Sequence, residues 1–171
     1  MARQLTDDEF TELVHAAWPG LYRTAYLMLG EHQLAEDLVQ TALAKTYASW
    51  RQVKDPAAAP AYARTVLATT AATWFRRRGW RNERPTELLP ERASHTDPST
   101  RPAVVDALRS LAPRQRAVVV LRYYDDLSVR EVAQALGITE GTVKSQTSDA
   151  LGRLRVLLGD AVIPADLGST L

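Results

Sequence analysis

The 171-residue chain has no cysteine, only three histidines, two phenylalanines and two methionines. Nor does it contain a run of about 18 apolar residues of the kind that spans a membrane. Lacking cysteine, it has neither disulfides nor thiolate metal sites, which suits a reducing compartment. Its acidic start, MARQLTDDEF, stands where a secretory signal would place an apolar stretch. The expectation is a soluble, cytoplasmic protein without membrane insertion. Net charge is also scarce, at +1. Indiscriminate coating of nucleic acid is therefore disfavoured, because that binding comes mainly from neutralising phosphates. A phosphate-cradling glycine loop and a nucleophile motif are missing too. His15 with Glu12, and His32 with Glu36, are spaced to share a helix face as metal ligands do. Three scattered histidines without cysteine nevertheless read as solvated or capping side chains. No catalytic residue, metal, cofactor or small-molecule substrate is expected.

What is present is an ordinary globular composition, 46% hydrophobic and 24% charged, with a distinctive stretch from Leu127 to Leu158. Ser128 and Glu131 have the spacing of a capping box, in which hydroxyl and carboxylate satisfy orphaned amides at a helix start. Val132, Ala135 and Leu136 then form one apolar face. Gly137 suits the left-handed conformation that ends a helix, Ile138 plugs the corner, and Thr139 caps the next helix. This order of signals predicts a helix-turn-helix, a unit that usually presents its second helix to the DNA major groove.

A helical wheel after Thr139 gathers Val143, Thr147, Ala150, Leu151, Leu154, Leu157 and Leu158 toward a core. Gly141, Thr142, Ser145, Ser148, Asp149 and Gly152 lie opposite, flanked by Lys144 and Gln146, with Arg153 further along. Small side chains allow close approach to a groove. Gln146 suits a bidentate contact with adenine, and Lys144 or Arg153 a phosphate or guanine. Asp149 either repels a phosphate or accepts from a cytosine amino group. The competing interpretation is a merely solvated helix face. Eight Lys or Arg against eight Asp or Glu from Ala103 to Leu171 leave this half neutral, so alone it should hold DNA weakly. The strongest basic cluster is elsewhere, in WFRRRGWR from Trp74 to Arg81.

Upstream, Thr6 and Glu9 form another capping box, opening a helix through about Ala17. Pro19 suits the first turn of a second helix and Gly30 its end. A third helix, about Gln33 to Trp50, places Leu34, Leu38, Val39, Ala42, Leu43, Thr46 and Trp50 on one face. Its other side carries Asp37, Gln40, Thr41, Ala44 and Ala48. RQVKDPAAAP reads as a loop, and Ala61 to Arg78 as a fourth helix. Four prolines between Glu83 and Pro102 mark a linker. Helices resume at Val104 to Leu111 and, after Pro113, at Arg114 to Tyr124. The three valines there also fit a strand, but Pro113 and the surroundings favour a helix. The fold class is all-α, with two small helical domains.

On these residues the chain resembles the extracytoplasmic-function sigma factors of bacterial RNA polymerase, especially compact actinobacterial members. The match runs from about Leu13 to Leu158. It is carried by AEDLVQTALAKTYASW and AYARTVLATTAATWFRRRGWRNERPTELLPE in the first half, and by LRSLAPRQRAVVVLRYYDDLSVREVAQALGITEGTVKSQ in the second. Both halves in this order, across a proline-rich linker, are far more specific than either alone.

The resemblance implies sigma region 2 over 1–82, a linker over 83–102, region 4 over 103–159 and a tail over 160–171. Asp37, Leu38, Gln40 and Thr41 would dock on core RNA polymerase. Lys54, Arg64, Thr69, Trp74, Arg76, Arg77 and Arg78 would bind and help melt the minus 10 element, which needs basic side chains and aromatic platforms. Ser128, Arg130, Thr139, Gly141, Thr142, Lys144, Ser145, Gln146, Ser148, Asp149 and Arg153 would serve the minus 35 element. Core packing is the competing role for each of Trp50, Tyr62, Trp74 and Trp80. A solvated helix end is the competing role for the arginine triplet, and a hydrated face for Asp37, Gln40 and Thr41. Family members often carry asparagine at the position of Thr69, a basic residue at Asp149 and arginine at Gln146, so base preference does not transfer. An anti-sigma factor, which in many relatives covers the polymerase-binding surfaces, is the third implied partner beside core polymerase and promoter DNA. No residue specifies one. The alternative to a sigma factor is a stand-alone dimeric helix-turn-helix regulator, which explains neither the linker nor the aromatic-basic run.

Overall fold

A computed structural model describes residues 5–77 and 102–159. Among the described residues there are seven α-helices and no strand. Helix α1 spans Asp7–Leu29 and opens on the expected capping box. The Thr6 amide donates to the Glu9 carboxylate at 2.8 Å, and the Glu9 amide to the Thr6 hydroxyl at 3.3 Å. The expected break before Pro19 does not occur, and the helix continues to Gly30 at φ 75°. An interior proline costs about 3 kcal/mol because it removes one backbone bond and crowds the preceding turn. Burial of Leu13 before it and of Leu21, Ala25, Leu27 and Met28 after it offsets that cost.

Helix α2, His32–Ala48, lies against α1 and buries Ala35, Leu38, Val39, Ala42 and Leu43. It stops short of Trp50, which instead starts a 3-10 turn, Trp50–Gln52. Trp50 is core: its indole N–H donates to the Thr6 carbonyl at 2.8 Å, and Phe10 packs edge-on at 5.2 Å. The expected loop holds a second 3-10 turn, Pro56–Ala58, capped by Asp55. Helix α3, Ala59–Arg77, follows, and its small buried residues Ala63, Ala68, Ala71 and Ala72 let it approach α2 closely.

In the second half, α4 is Pro102–Arg109 and α5 is Pro113–Val119, continuing into a π-helical turn, Val120–Tyr124. Val118, Val119 and Val120 are buried in helix, so the strand alternative falls. Asp125 closes the π turn by donating its amide to the Val120 carbonyl at 3.1 Å. Helix α6, Val129–Leu136, and α7, Glu140–Leu158, complete the fold. The wheel placed Leu157 in the core, but it is 55% exposed, because it lies roughly 60° around α7 from Leu154 at the edge of the buried face, whereas Leu158 packs against the core.

One hydrophobic core runs through both halves, including Leu21, Met28 and Leu67 from the first and Val118, Leu121 and Val132 from the second. Helix α1 packs on α4, α5 and the π turn, while α3 packs on α6. The consecutive burial of Thr24 to Met28 reflects this, since a helix covered on one side only would bury a stripe.

Candidate nucleic-acid interface

The helix-turn-helix is built as its residues dictate. Ser128 caps α6 in a reciprocal box, its amide donating to the Glu131 carboxylate at 2.7 Å and its hydroxyl accepting from the Glu131 amide at 3.2 Å. Hydrogen bonding from the Ser128 backbone first, and from its side chain second, holds the Glu131 carboxyl below its ordinary range. Gly137 takes φ 65°, and the Ile138 amide turns back to the Ala133 carbonyl at 3.1 Å, ending α6. Thr139 then caps α7 by accepting from the Thr142 amide at 3.1 Å.

Val143, Thr147, Ala150, Leu151 and Leu154 anchor α7 by its buried face. Gly141, Lys144, Ser145, Ser148, Asp149 and Arg153 are exposed opposite, while Thr142 and Gln146 are half-buried at the edges. Of the remaining expected contacts, Arg130 is exposed on α6, whereas the oxygens of Ser128 and Thr139 are engaged as caps. Asp149 and Arg153 also line a shallow groove of about 550 Å³ with Ser110, which follows α4.

On α3, Thr69 is exposed and bonds its own helix through the Val66 carbonyl. Arg76 and Arg77 are exposed, Trp74 is half-buried against the core, and Arg78 lies outside the described residues. Trp80 lies outside them too. Tyr62 is 37% exposed on the line of Thr69 and Arg76, leaving it the more available aromatic of α3. Arg64 is turned roughly 140° around the helix from Thr69. Its charge instead acts on Asp125 of the second half. Lys54 is exposed in the loop before α3. These residues therefore occupy more than one face.

On α2, Asp37 and Gln40 are exposed and Thr41 is half-buried, its hydroxyl donating to the Asp37 carbonyl at 2.8 Å. Leu38 is a correction: with 0% exposure it is a core side chain, because i and i+1 on a helix face different directions. Of the four residues expected to dock, Asp37, Gln40 and Thr41 remain at the surface. His32 also has a structural place, stacked on Tyr26 at 4.5 Å and hydrogen-bonded through Nδ1 to the Tyr22 hydroxyl.

Sequence reasoning missed a polar set between the halves. Thr24 donates to Asp125 at 2.7 Å, and Arg109 donates to the Tyr26 hydroxyl at 2.8 Å and the Gly30 carbonyl at 3.0 Å. Arg116, only 7% exposed, reaches the Met28 carbonyl at 3.3 Å and the Arg109 and Leu111 carbonyls at 3.1 Å. Arg76 reaches the Leu136 carbonyl at 3.4 Å. The available signal was Arg116 standing one turn before Val119 and Val120 on an apolar face. Burial pushes the Asp125 carboxyl above its ordinary value, opposed by the Thr24 bond and the Arg64 charge.

Comparison with known proteins agrees with this architecture. Residues 13–81 match the family described as Sigma-70 region 2, and residues 107–156 that described as Sigma-70, region 4. The RNA polymerase sigma-E factor of Streptomyces coelicolor is 44% identical over 152 residues, 86% of this chain and 84% of that one. The ECF RNA polymerase sigma factor SigL of Mycobacterium tuberculosis is 32% identical over 145 residues, 81% and 82% of the two chains. Among solved structures, the sigma factor RpoE of Bartonella quintana, in complex with the anti-sigma factor NepR, is similar at TM-score 0.63 and 26% identity. That likeness covers 88% of this chain and 97% of RpoE. With regions 2 and 4 present in order, and relatives of this identity along most of their length, the chain belongs to the extracytoplasmic-function sigma factors of the sigma-70 family.

Proposed function

We propose that this protein docks on core RNA polymerase through Asp37, Gln40 and Thr41, and directs it to promoters with minus 10 and minus 35 elements. The observation that carries the reading is the exposed polar strip of α7 behind two intact helix caps, paired in one chain with a basic α3. Lys144, Ser145, Gln146, Ser148, Asp149 and Arg153 read the minus 35 major groove, and the capped start of α7 offers amides to a phosphate. Thr69, Arg76, Arg77 and Lys54 hold the minus 10 strand, with Tyr62 or Trp74 as a stacking platform.

The protein performs no catalysis of its own, and it works in the cytoplasm with the polymerase. An anti-sigma factor is a fitting partner, since RpoE, similar over both halves, is found with one. A neutral reading domain fits delivery by polymerase, because tethering raises the effective concentration of the second contact.

Run-off transcription with purified core polymerase on a library of upstream sequences tests the proposal. A defined start site that depends on the added protein is the expected result. Its absence, together with binding of palindromic DNA by a free dimer, would establish the stand-alone regulator instead.

A further inference from the structure

Two exposed aliphatic side chains end the reading helix. Among the described residues, the large aliphatics that stand exposed are Val156, at 86%, and Leu157, at 55%. Neither belongs to the polar strip assigned to the minus 35 element. Both line the groove of about 550 Å³ that α7 forms with Ser110. The groove follows two neighbouring rows of the helix, because residues four apart stand one above the other. One row is Ser148, Gly152 and Val156, and the other is Asp149, Arg153 and Leu157. Gly152 leaves the middle open: a Cβ there meets nothing within 4 Å. The groove thus runs along α7 for about 14 Å at about 1.5 Å per residue, and its apolar end lies where the chain leaves the helix.

That exit is Gly159, whose amide donates to the Arg155 carbonyl at 2.8 Å. Its φ of 80° and ψ of 163° belong to a region open essentially to glycine, so the chain departs from the helix axis there. Residues 160–171, DAVIPADLGSTL, lie outside the described residues. They carry Val162, Ile163 and Leu167, and their only charged side chains are Asp160 and Asp166. Three residues of extended chain cover about 10 Å, which matches the rise from Gly159 back to Gly152. Val162 and Ile163 therefore come level with Gly152 and Arg153 when the chain returns along the groove. The acidic segment also complements Arg153, the cation of the groove. Asp149 stands at the far end, about 15 Å from Gly159 at helical rise, so Asp160 stays clear of it.

We infer that residues 160–171 fold back as the occupant of this groove, with Ala161, Val162 and Ile163 covering Val156, Leu157 and the gap at Gly152, and that the docked segment withholds Arg153 from the minus 35 element. The consequence for promoter contact rests on the function proposed above, whereas the docking does not. Attachment two residues beyond Leu157 gives the segment a high effective concentration at the groove. Apparent affinity for the element falls in proportion to the fraction of molecules whose groove is empty, so a groove filled about 90% of the time lowers it about tenfold.

The chain has no cysteine, so a single introduced thiol reports on the groove. Gly152→Cys in the full chain is reacted with a maleimide, and Ser110→Cys on the opposite wall serves as a second probe. Labelling is expected to be slow, at a rate independent of protein concentration, and to rise about tenfold when Val162→Ser and Ile163→Ser are added. On the cysteine-free chain bound to core polymerase, the same serine pair should tighten binding about tenfold to a promoter fragment selected by run-off transcription. Labelling unmoved by the serine pair at both thiols overturns the docking. So does protection that grows with protein concentration, which assigns the groove to a second copy, or protection that arises only with core polymerase, which assigns it to polymerase. Faster labelling with unchanged promoter affinity overturns the competition with DNA and leaves the segment as a groove cover. Failure to select any promoter overturns the sigma reading instead, and the docking is then decided by the thiol rates alone.

Discussion

The hydroxyl of Thr24 donates a 2.7 Å hydrogen bond to the carboxylate of Asp125, 101 positions away in the chain. The pair joins α1 to the turn that precedes the helix-turn-helix, so the orientation of the reading unit depends on a contact between halves. Its environment also makes the contact sensitive to acid. Burial raises the Asp125 carboxyl from its ordinary 3.8, only partly opposed by the Thr24 bond and Arg64.

Stability should therefore be greatest below the ordinary carboxylate value and weaken as pH rises through the raised value. The folded form favours the protonated acid at Asp125, and the unfolded, solvated chain does not, so each proton lost there costs stability. The contribution of this group to the urea midpoint, followed over mildly acidic pH, should fall with increasing pH. Asp125→Asn should flatten that part of the profile, since it has no proton to lose.

Neighbouring residues of α2 should separate stability from docking. Leu38→Ala should cost about 2 to 5 kcal/mol in urea unfolding, through a cavity in a fully buried site. Asp37→Ala with Gln40→Ala should move stability by about 0.5 kcal/mol or less for each site. That exposed pair should nevertheless weaken association with core polymerase, measured by fluorescence anisotropy of labelled protein.

Gln146 and Lys144 should differ in kind. Gln146→Ala is expected to relax preference at one base pair of the minus 35 element, at a cost of about 1 to 3 kcal/mol. Lys144→Ala should weaken all sequences alike and reduce the salt slope by about one. Binding of polymerase holoenzyme to a randomised minus 35 library at several salt concentrations distinguishes the two.

The caps of the helix-turn-helix should report on its folding. Thr139→Ala removes the acceptor for the Thr142 amide and should cost about 1 kcal/mol. Gly137→Ala should cost a similar amount, because φ 65° disfavours a Cβ. Both should lower the denaturation midpoint without altering helix content at low denaturant.

Legibility in sequence followed the range of the interactions. Ser128, Gly137 and Thr139 act within one helical turn of themselves, so spacing alone placed them, and the exposed strip of α7 followed from period. Pro19 misled because a local penalty of a few kcal/mol is small beside burial on both sides of it. Leu157 misled because period assigns a residue to a face but not the width of the part of that face that is covered, and Leu158 beside it is the one that packs. Arg64 was grouped with Thr69 on the family resemblance, although a helix turns them apart.

By itself, then, the sequence determined the all-helical class, the caps, the helix-turn-helix and the order of regions 2 and 4, all of which rest on contacts three to five residues apart or on family pattern, while the continuity of α1 through Pro19 did not follow from it. Only the tertiary structure decided that the halves share a core, that Leu38 is buried, and that Arg76, Arg109 and Arg116 donate across to the opposite half. Those outcomes depend on surfaces brought together from some 60 to 88 positions apart. No periodicity encodes such meetings, because shape and burial select them after the helices exist.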